Sequence, residues 1–186
     1  VLIHAAGSGV GVAAAQIAKM LGASLVIGTA GSAEKLTQAA TLGLDVGVNY
    51  REQDFAQEVL KATGGRGVDV ILDVIGADYW DRNMKSLAQK GRMVLVGLMG
   101  GNSTNANIGV LLQKRASVRG TTLRGRPIEE KGLATRAFER SVLPHIAGGR
   151  IKVVVDRVYP LAEAAAAHEY MGANQNFGKV VLRVGD

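Results

Sequence analysis

Three glycines carry the clearest chemical potential in this chain. Positions 1–11 read Val-Leu-Ile-His-Ala-Ala-Gly-Ser-Gly-Val-Gly, and an Ala-rich apolar stretch follows at once. A strand that turns sharply into a helix presents free backbone N–H groups and a partial positive charge at the turn. A pyrophosphate docks there when no side chain blocks the backbone. On this reading Gly7 makes the turn, Gly9 lets the ligand approach and Gly11 lets helix meet strand, with Ser8 and Val10 between them. A glycine cluster by itself serves a ligand-free turn equally well. The strand before it, the helix after it and the alternating pattern beyond favour a dinucleotide. The spacing is Gly7-x-Gly9-x-Gly11, which departs from the strict G-x-G-x-x-G form.

A second group of residues bears on which dinucleotide. Folds that bind NAD place an acid near the end of the second strand, where it grips the ribose 2′-hydroxyl. The matching window here, Gly28-Thr29-Ala30-Gly31, holds no acid, and Ser32 and Lys35 come next. A small hydroxyl and a cation suit a 2′-phosphate through charge-assisted hydrogen bonds. Tyr50, after the third strand, adds a hydroxyl or lies beside the adenine. Each residue also has a plainer reading: Ser32 as a helix N-cap and Lys35 as a solvated helix residue. Glu34 is the competing candidate for a ribose acid. With the window lacking an acid, NADP is the expected cofactor.

Other chemistries lack their residues. The chain has no cysteine and three histidines, His4, His145 and His168, far apart in sequence. No H-x-x-H or H-E-x-x-H spacing occurs, so no metal site is expected. Gly7-Ser8-Gly9 has the wrong spacing for a nucleophile elbow, and no P-loop lysine follows the glycines. No catalytic residue is assigned.

The elements that must hold these residues alternate. β-rich runs at 1–4, 24–29, 46–48, 68–73, 92–97 and 117–121 are separated by stretches with helical spacing, which predicts an α/β fold with a parallel sheet. Residues 10–21 are apolar on nearly every side and predict a deeply buried helix. Leu36, Ala39, Ala40 and Gly43 share one helical face, as do Trp80, Met84, Leu87 and Ala88. Asp54 is placed to cap a helix carrying Phe55 and Val59. A helix over 133–146 is expected to stop at Gly148-Gly149. The last stretch reads as strand, helix and strand, so two units are expected, 1–150 and 151–186.

Composition agrees with a packed globular chain. Of 186 residues 47% are hydrophobic and 20% charged, with 25 Gly, 3 Pro and few aromatics. The formal charge is +6, but Lys and Arg are scattered among acids, so a nucleic-acid partner is not expected. No apolar run nears the ~20 residues of a membrane span, and a membrane partner is not expected either. The absence of cysteine suits a cytoplasmic setting. The chain opens at Val1 directly inside a strand, so it reads as a piece of a longer protein.

The chain resembles zinc-free quinone oxidoreductases of the medium-chain dehydrogenase/reductase superfamily. The resemblance lies in His4-Ala5-Ala6-Gly7-Ser8-Gly9-Val10-Gly11, Thr29-Ala30-Gly31-Ser32, Val48-Asn49-Tyr50, Ile71-Leu72-Asp73-Val74-Ile75-Gly76, Gly97-Leu98-Met99-Gly100-Gly101 and Gly178-Lys179-Val180-Val181-Leu182. The motifs keep their order along essentially the whole chain. Ser8 departs from the family's usual glycine and fits if its backbone dihedrals are ordinary.

That resemblance implies a Rossmann-type doubly wound parallel sheet and hydride transfer from NADPH to a small-molecule quinone. It implies that Gly7 to Gly11 meet the pyrophosphate, and that Ser32, Lys35 and Tyr50 meet the 2′-phosphate. Gly76 would lie near the sugar, and Gly97, Leu98 and Met99 would flank the nicotinamide. Thr121, Thr122 and Leu123 would hold the carboxamide, and Phe177 and Lys179 would close over the cofactor from the tail. Such a reaction needs no protein nucleophile, because the cofactor carries the chemistry. The resemblance also implies a catalytic domain before residue 1, to which residues 151–186 return. Without it the tail is expected to be displaced or to pair with another copy, and a homo-oligomer is expected. A non-catalytic NADP-binding module, or an enone or enoyl reductase of the same superfamily, remains open.

Overall fold

The computed structural model describes residues 1–185. Strands β1 (Leu2–Ile3), β2 (Ile27–Ala30), β3 (Val46–Asn49), β4 (Val68–Asp73), β5 (Leu87–Leu95) and β6 (Ser117–Gly120) form one sheet in the order β3-β2-β1-β4-β5-β6. Every pairing is parallel, and β1 pairs with both β2 and β4 through Leu2↔Ile27 and Leu2↔Ile71. This is the Rossmann order, in which the chain winds outward in both directions from β1.

Helices cover both faces, which is why the strands read as continuous apolar runs. Successive strand residues point to opposite faces, so Leu2 joins Ile27, Phe55, Val59, Ile71 and Met93, whereas Ile3 joins Ala6, Val12, Ala15, Val26 and Leu44. Helix α1 (Gly9–Met20) lies on the second face. It is less buried than its composition predicts. Only Gly11, Val12, Ala15 and Gln16 are buried, and Val10 keeps 48% of its surface. Ala and Gly are apolar at little volume, so their number overstates how deeply a helix sinks.

Helices α2 (Ala33–Ala40), α3 (Phe55–Ala62), α4 (Trp80–Ser86) and α5 (Gly109–Lys114) follow in the loops between strands. Asp54 caps α3, its carboxylate accepting from the Ala56 N–H at 2.9 Å. Leu87 and Ala88, expected on a helix, instead begin β5. The cause lies far away in sequence. The Lys114 ammonium donates to the carbonyls of Met84 (2.6 Å), Lys85 (2.9 Å) and Leu87, and so closes the end of α4.

The helix expected at 133–146 is two helices, α6 (Ile128–Ser141) and α7 (Leu143–Ala147), with a break at Val142. Pro144 sits in the first turn of α7, where its missing N–H costs no bond, and it cannot continue α6.

The tail forms a separate β-α-β unit: β7 (Val155–Pro160), α8 (Ala164–Gly172) and β8 (Lys179–Arg183), with β7 and β8 paired in parallel. It is not displaced. The Gln16 side chain accepts from the Lys152 N–H (2.7 Å) and donates to the Lys152 carbonyl (3.0 Å). The Gly178 N–H donates to the Gly7 carbonyl at 2.9 Å, and Ser8 bridges Gly178 in parallel register. Phe177 is buried in the cluster that holds Ile3 and Val12. The tail is thus held to the main body by the Gln16 bonds, by the bridge at Gly178 and by the buried Phe177.

Candidate functional site

Because all six strands of the main sheet run parallel, their carboxyl ends share one edge. The chain leaves β1 and β4 in opposite directions, and a crevice opens between them. The turns after all six strands meet along that edge, and they hold every predicted cofactor residue except the two from the tail.

The glycine turn is built tightly. Ala5 adopts a left-handed conformation (φ 53°), its carbonyl accepts from the Ser8 N–H (2.9 Å), and the Ala6 N–H donates to Thr29 of β2 (2.8 Å). Ser8 has ordinary extended dihedrals (φ −75°, ψ 160°), and its Oγ accepts from the Gly11 N–H at 3.0 Å. Ser8 is therefore the cap of α1. A Cβ on Gly11 would stand 2.7 Å from the Ala6 Cα and run into the Ala5 carbonyl, so only glycine lets α1 meet β1. Gly7 and Gly9 differ. Their open sides face the stems of two lysines: a Cβ on Gly7 would lie 3.0 Å from the Lys35 Cδ, and one on Gly9 would lie 2.6 Å from the Lys179 Cδ. Two cationic side chains, Lys35 and Lys179, thus lie across the open sides of Gly7 and Gly9.

At the end of β2, Ser32 caps α2 and accepts from the Lys35 N–H at 3.4 Å. The Lys35 ammonium donates to the backbone carbonyl and the side-chain Oδ1 of Asn174, each at 2.7 Å. Burial lowers the Lys35 pKa, and Arg51 adds to that, while Asp156 and Glu34 raise it. Tyr50 and Arg51 come together over Gly31. A Cβ on Gly31 would meet the Tyr50 hydroxyl at 2.7 Å and the Arg51 Nε at 3.2 Å. Arg51 was not predicted from the sequence, although it directly follows Tyr50. Glu34 stays exposed on the first turn of α2, accepting from Gln38 at 3.4 Å.

On the other side of the crevice, the loops after β4 and β5 brace each other. The Met99 N–H donates to Val74 (3.1 Å) and the Gly100 N–H to Ile75 (2.7 Å). Gly76 has φ 86°, and a Cβ there would lie 2.7 Å from the Gly101 carbonyl. Gly97 backs onto the Val74 carbonyl, 3.0 Å from where its Cβ would be. Leu98 and Met99 stand out from this pair of loops, 55% and 81% exposed. After β6, the Thr121 N–H bonds Leu95 at 2.9 Å. Arg126 donates to the Thr121 hydroxyl (2.7 Å) and the Thr122 carbonyl (2.8 Å), and Leu123 is exposed. Arg126, too, was not predicted. From the tail, Phe177 is buried in the cluster that holds Ala6, just before the glycine turn, whereas the Lys179 side chain is exposed over Gly9. A depression of about 370 Å³ lies instead toward the far end of α1, lined by Gln16, Lys19, Leu42, His145, Arg150 and Lys152.

Residues 9–139 match the family described as zinc-binding dehydrogenase. The chain belongs to that family, within the medium-chain dehydrogenase/reductase superfamily. It is 39% identical over 187 residues to quinone oxidoreductase 1 of Escherichia coli, covering 97% of this chain and 55% of that protein. It is 36% identical over 186 residues to a 2-haloacrylate reductase of Burkholderia, covering 98% of this chain and 54% of that one. The crystal structure of Escherichia coli quinone oxidoreductase complexed with NADPH superposes with a TM-score of 0.84 at 38% identity, over 98% of this chain and 56% of that one. The chain thus spans about half the length of the relatives it matches.

The family's name carries zinc, whose ligands would have to come from His, Cys, Asp or Glu side chains of this chain or of the rest of the protein. Among the described residues no three His, Cys, Asp or Glu side chains are grouped to hold a metal ion. Its most central histidine is committed elsewhere. His4 is 1% exposed, with Nδ1 3.0 Å from the Thr29 Oγ1 and Nε2 2.7 Å from the Asn83 Oδ1. The Asn83 Nδ2 donates to the Asp73 carboxylate at 3.0 Å, which also accepts from the N–H groups of Ile75 (2.7 Å) and Gly76 (3.2 Å). Burial pushes the imidazole down to about 4, Arg82 pushes the same way, and the bond to Asn83 opposes them. Burial raises the Asp73 carboxyl, against the pull of the two backbone N–H groups and Asn83. A neutral histidine and a buried acid thereby tie β2, β1 and β4 together beneath the crevice.

Proposed function

We propose that this family member binds NADPH along the carboxyl edge of its sheet and belongs to an enzyme that passes hydride to a quinone. The observation that carries the reading is the set gathered beside Gly31 and Gly7. Ser32, Lys35, Tyr50 and Arg51 bring two hydroxyls and two cations to the end of β2, where the window Gly28 to Gly31 holds no acid. A hydroxyl-and-cation set suits a phosphate better than a ribose hydroxyl. The start of α1 suits the pyrophosphate: α1 runs 12 residues, and its first N–H groups have no partner within the helix. Gly7 to Gly11 would hold that group, with the Lys179 side chain swinging aside from Gly9 to pair with it and Lys35 kept for the 2′-phosphate. Gly76, Gly97, Leu98, Met99, Thr121, Thr122 and Leu123 would line the sugar and nicotinamide. Bound NADPH would supply the hydride, while this chain binds, orients and excludes water.

The likeness to the Escherichia coli quinone oxidoreductase complexed with NADPH supports the cofactor and the acceptor class. Calorimetric titration with NADPH and NADH tests the cofactor, with NADPH expected to bind more tightly. Equal affinity, or tighter NADH, overturns the reading. The 2-haloacrylate reductase relative favours a second acceptor class, an alkene activated by a carboxylate or carbonyl. Steady-state NADPH oxidation by the full-length protein, with a simple benzoquinone and with an activated alkene, separates the two.

A further inference from the structure

We propose that Asn174, in the tail, is the positioning residue that fixes the Lys35 ammonium for a 2′-phosphate and so sets the preference for NADPH over NADH. The inference rests on the cofactor reading above.

Lysine is normally a compact point charge on a flexible stem, and it loses rotamer freedom when it binds. Here that freedom is already restricted. The Lys35 stem crosses Gly7, and its ammonium makes two bonds of 2.7 Å to the carbonyl and side chain of one residue. An ammonium has three donors, so one remains for a ligand. Asn174 is itself held. Its backbone sits in the left-handed region (φ 54°), and its N–H donates to the Met171 carbonyl at 3.0 Å, at the end of α8. Three residues later Phe177 is buried in the core, and the Gly178 N–H is bonded to Gly7. The loop is therefore held at one end by α8 and at the other by the glycine turn it serves.

The chemistry of the partner decides the role. An Asp at this position would hold the ammonium equally well but would cancel its charge. Asn is neutral, so it directs the cation without neutralising it. A preset cation gives up less freedom on binding, and the saving appears as affinity. Only the dinucleotide carrying a 2′-phosphate gains from it.

The test compares the protein with Asn174→Gly, which keeps the left-handed backbone and the carbonyl but removes Oδ1, and with Asn174→Asp. Affinities for NADPH and NADH are measured by calorimetry, and 2′,5′-ADP and 5′-AMP are used as competitors. Asn174→Gly is expected to weaken NADPH and 2′,5′-ADP roughly fivefold, the worth of one hydrogen bond, and to leave NADH and 5′-AMP unchanged. Asn174→Asp is expected to weaken NADPH more. Unchanged or tighter NADPH in Asn174→Gly overturns the inference, because Asn174 would then be inert or would compete for Lys35. A wild-type protein that binds both dinucleotides equally overturns the cofactor reading and this inference together. A wild-type preference that survives Asn174→Gly removes this inference alone. A merely structural role for Asn174 would move both dinucleotides by the same factor.

Discussion

His4 Nε2 stands 2.7 Å from Asn83 Oδ1, with His4 1% and Asn83 0% exposed. An amide oxygen only accepts, so Nε2 carries the proton and Nδ1 accepts from the Thr29 hydroxyl. The imidazole is neutral in the folded protein, and its pKa lies near 4 against an ordinary 6.5. The unfolded chain therefore binds more protons between those two values. The stability that His4 contributes is complete above about pH 6.5 and is lost as pH falls toward 4, by roughly 3 kcal/mol in total. Asp73, raised by burial, works in the opposite sense. Melting temperature is expected to fall steadily between pH 6.5 and 4.5. A His4→Gln variant, less stable at pH 7, is expected to show a much flatter slope, and an unchanged slope would assign it to other groups.

Two glycines of one turn should fail in different ways. Gly11→Ala puts a Cβ against the backbone of Ala5 and Ala6, which has nowhere to move. It is expected to cost about 3 kcal/mol, or roughly 6–12 °C in melting temperature. At Gly9 the atoms nearest an added Cβ are those of the flexible Lys179 stem. Gly9→Val is expected to keep the fold, by circular dichroism, and to lose both dinucleotides in calorimetry. Normal binding by Gly9→Val would place the phosphate site elsewhere.

Phe177 fastens the tail to the main sheet. Phe177→Ala is expected to cost about 3–5 kcal/mol and to expose residues 174–185 to proteolysis and fast amide exchange. Phe177→Leu, which keeps most of the volume, should cost less than about 1.5 kcal/mol. If Phe177→Ala left amide exchange in the tail unchanged, the backbone bridge at Gly178 would be the stronger fastening.

Arg51 should matter to one dinucleotide only. Losing a charge-assisted bond to a phosphate costs about 1.5–3 kcal/mol, so Arg51→Ala is expected to weaken NADPH at least tenfold and to spare NADH. Because the interaction is between charges near the surface, the difference should shrink as salt rises. Equal weakening of both dinucleotides would place Arg51 away from the 2′-phosphate.

The sequence showed what is local. Strand periodicity, the glycine turn, the cap at Asp54 and the missing acid after Thr29 all depend on neighbours within a few residues, and they predicted the strand positions and the sheet edge that collects the site. It hid what depends on distant partners. The end of α4 rests on Lys114, 27 or more residues away, so Leu87 and Ala88 read as helix until that cap is seen. The fixing of Lys35 rests on Asn174, 139 residues away, and neither residue type announces the pair. The resemblance groups Phe177 with Lys179 as a closing contact from the tail, but sequence alone does not show that Phe177 is buried in the core cluster while Lys179 is exposed. The break at Val142 was readable from Pro144, which ends one helix as readily as it starts the next.

The bridge between Ser8 and Gly178 also sets an order of events during synthesis. The two residues are 170 positions apart, 178 less 8, and a ribosome adding ~5–20 residues per second needs on the order of ten to thirty seconds to cover that interval. The sheet can assemble from β1 to β6 while the strand that completes the glycine turn is still unmade. Such a distant pairing is among the last contacts a chain of this topology closes. The nascent protein thus acquires its α/β body first and its finished glycine turn only when the tail has emerged.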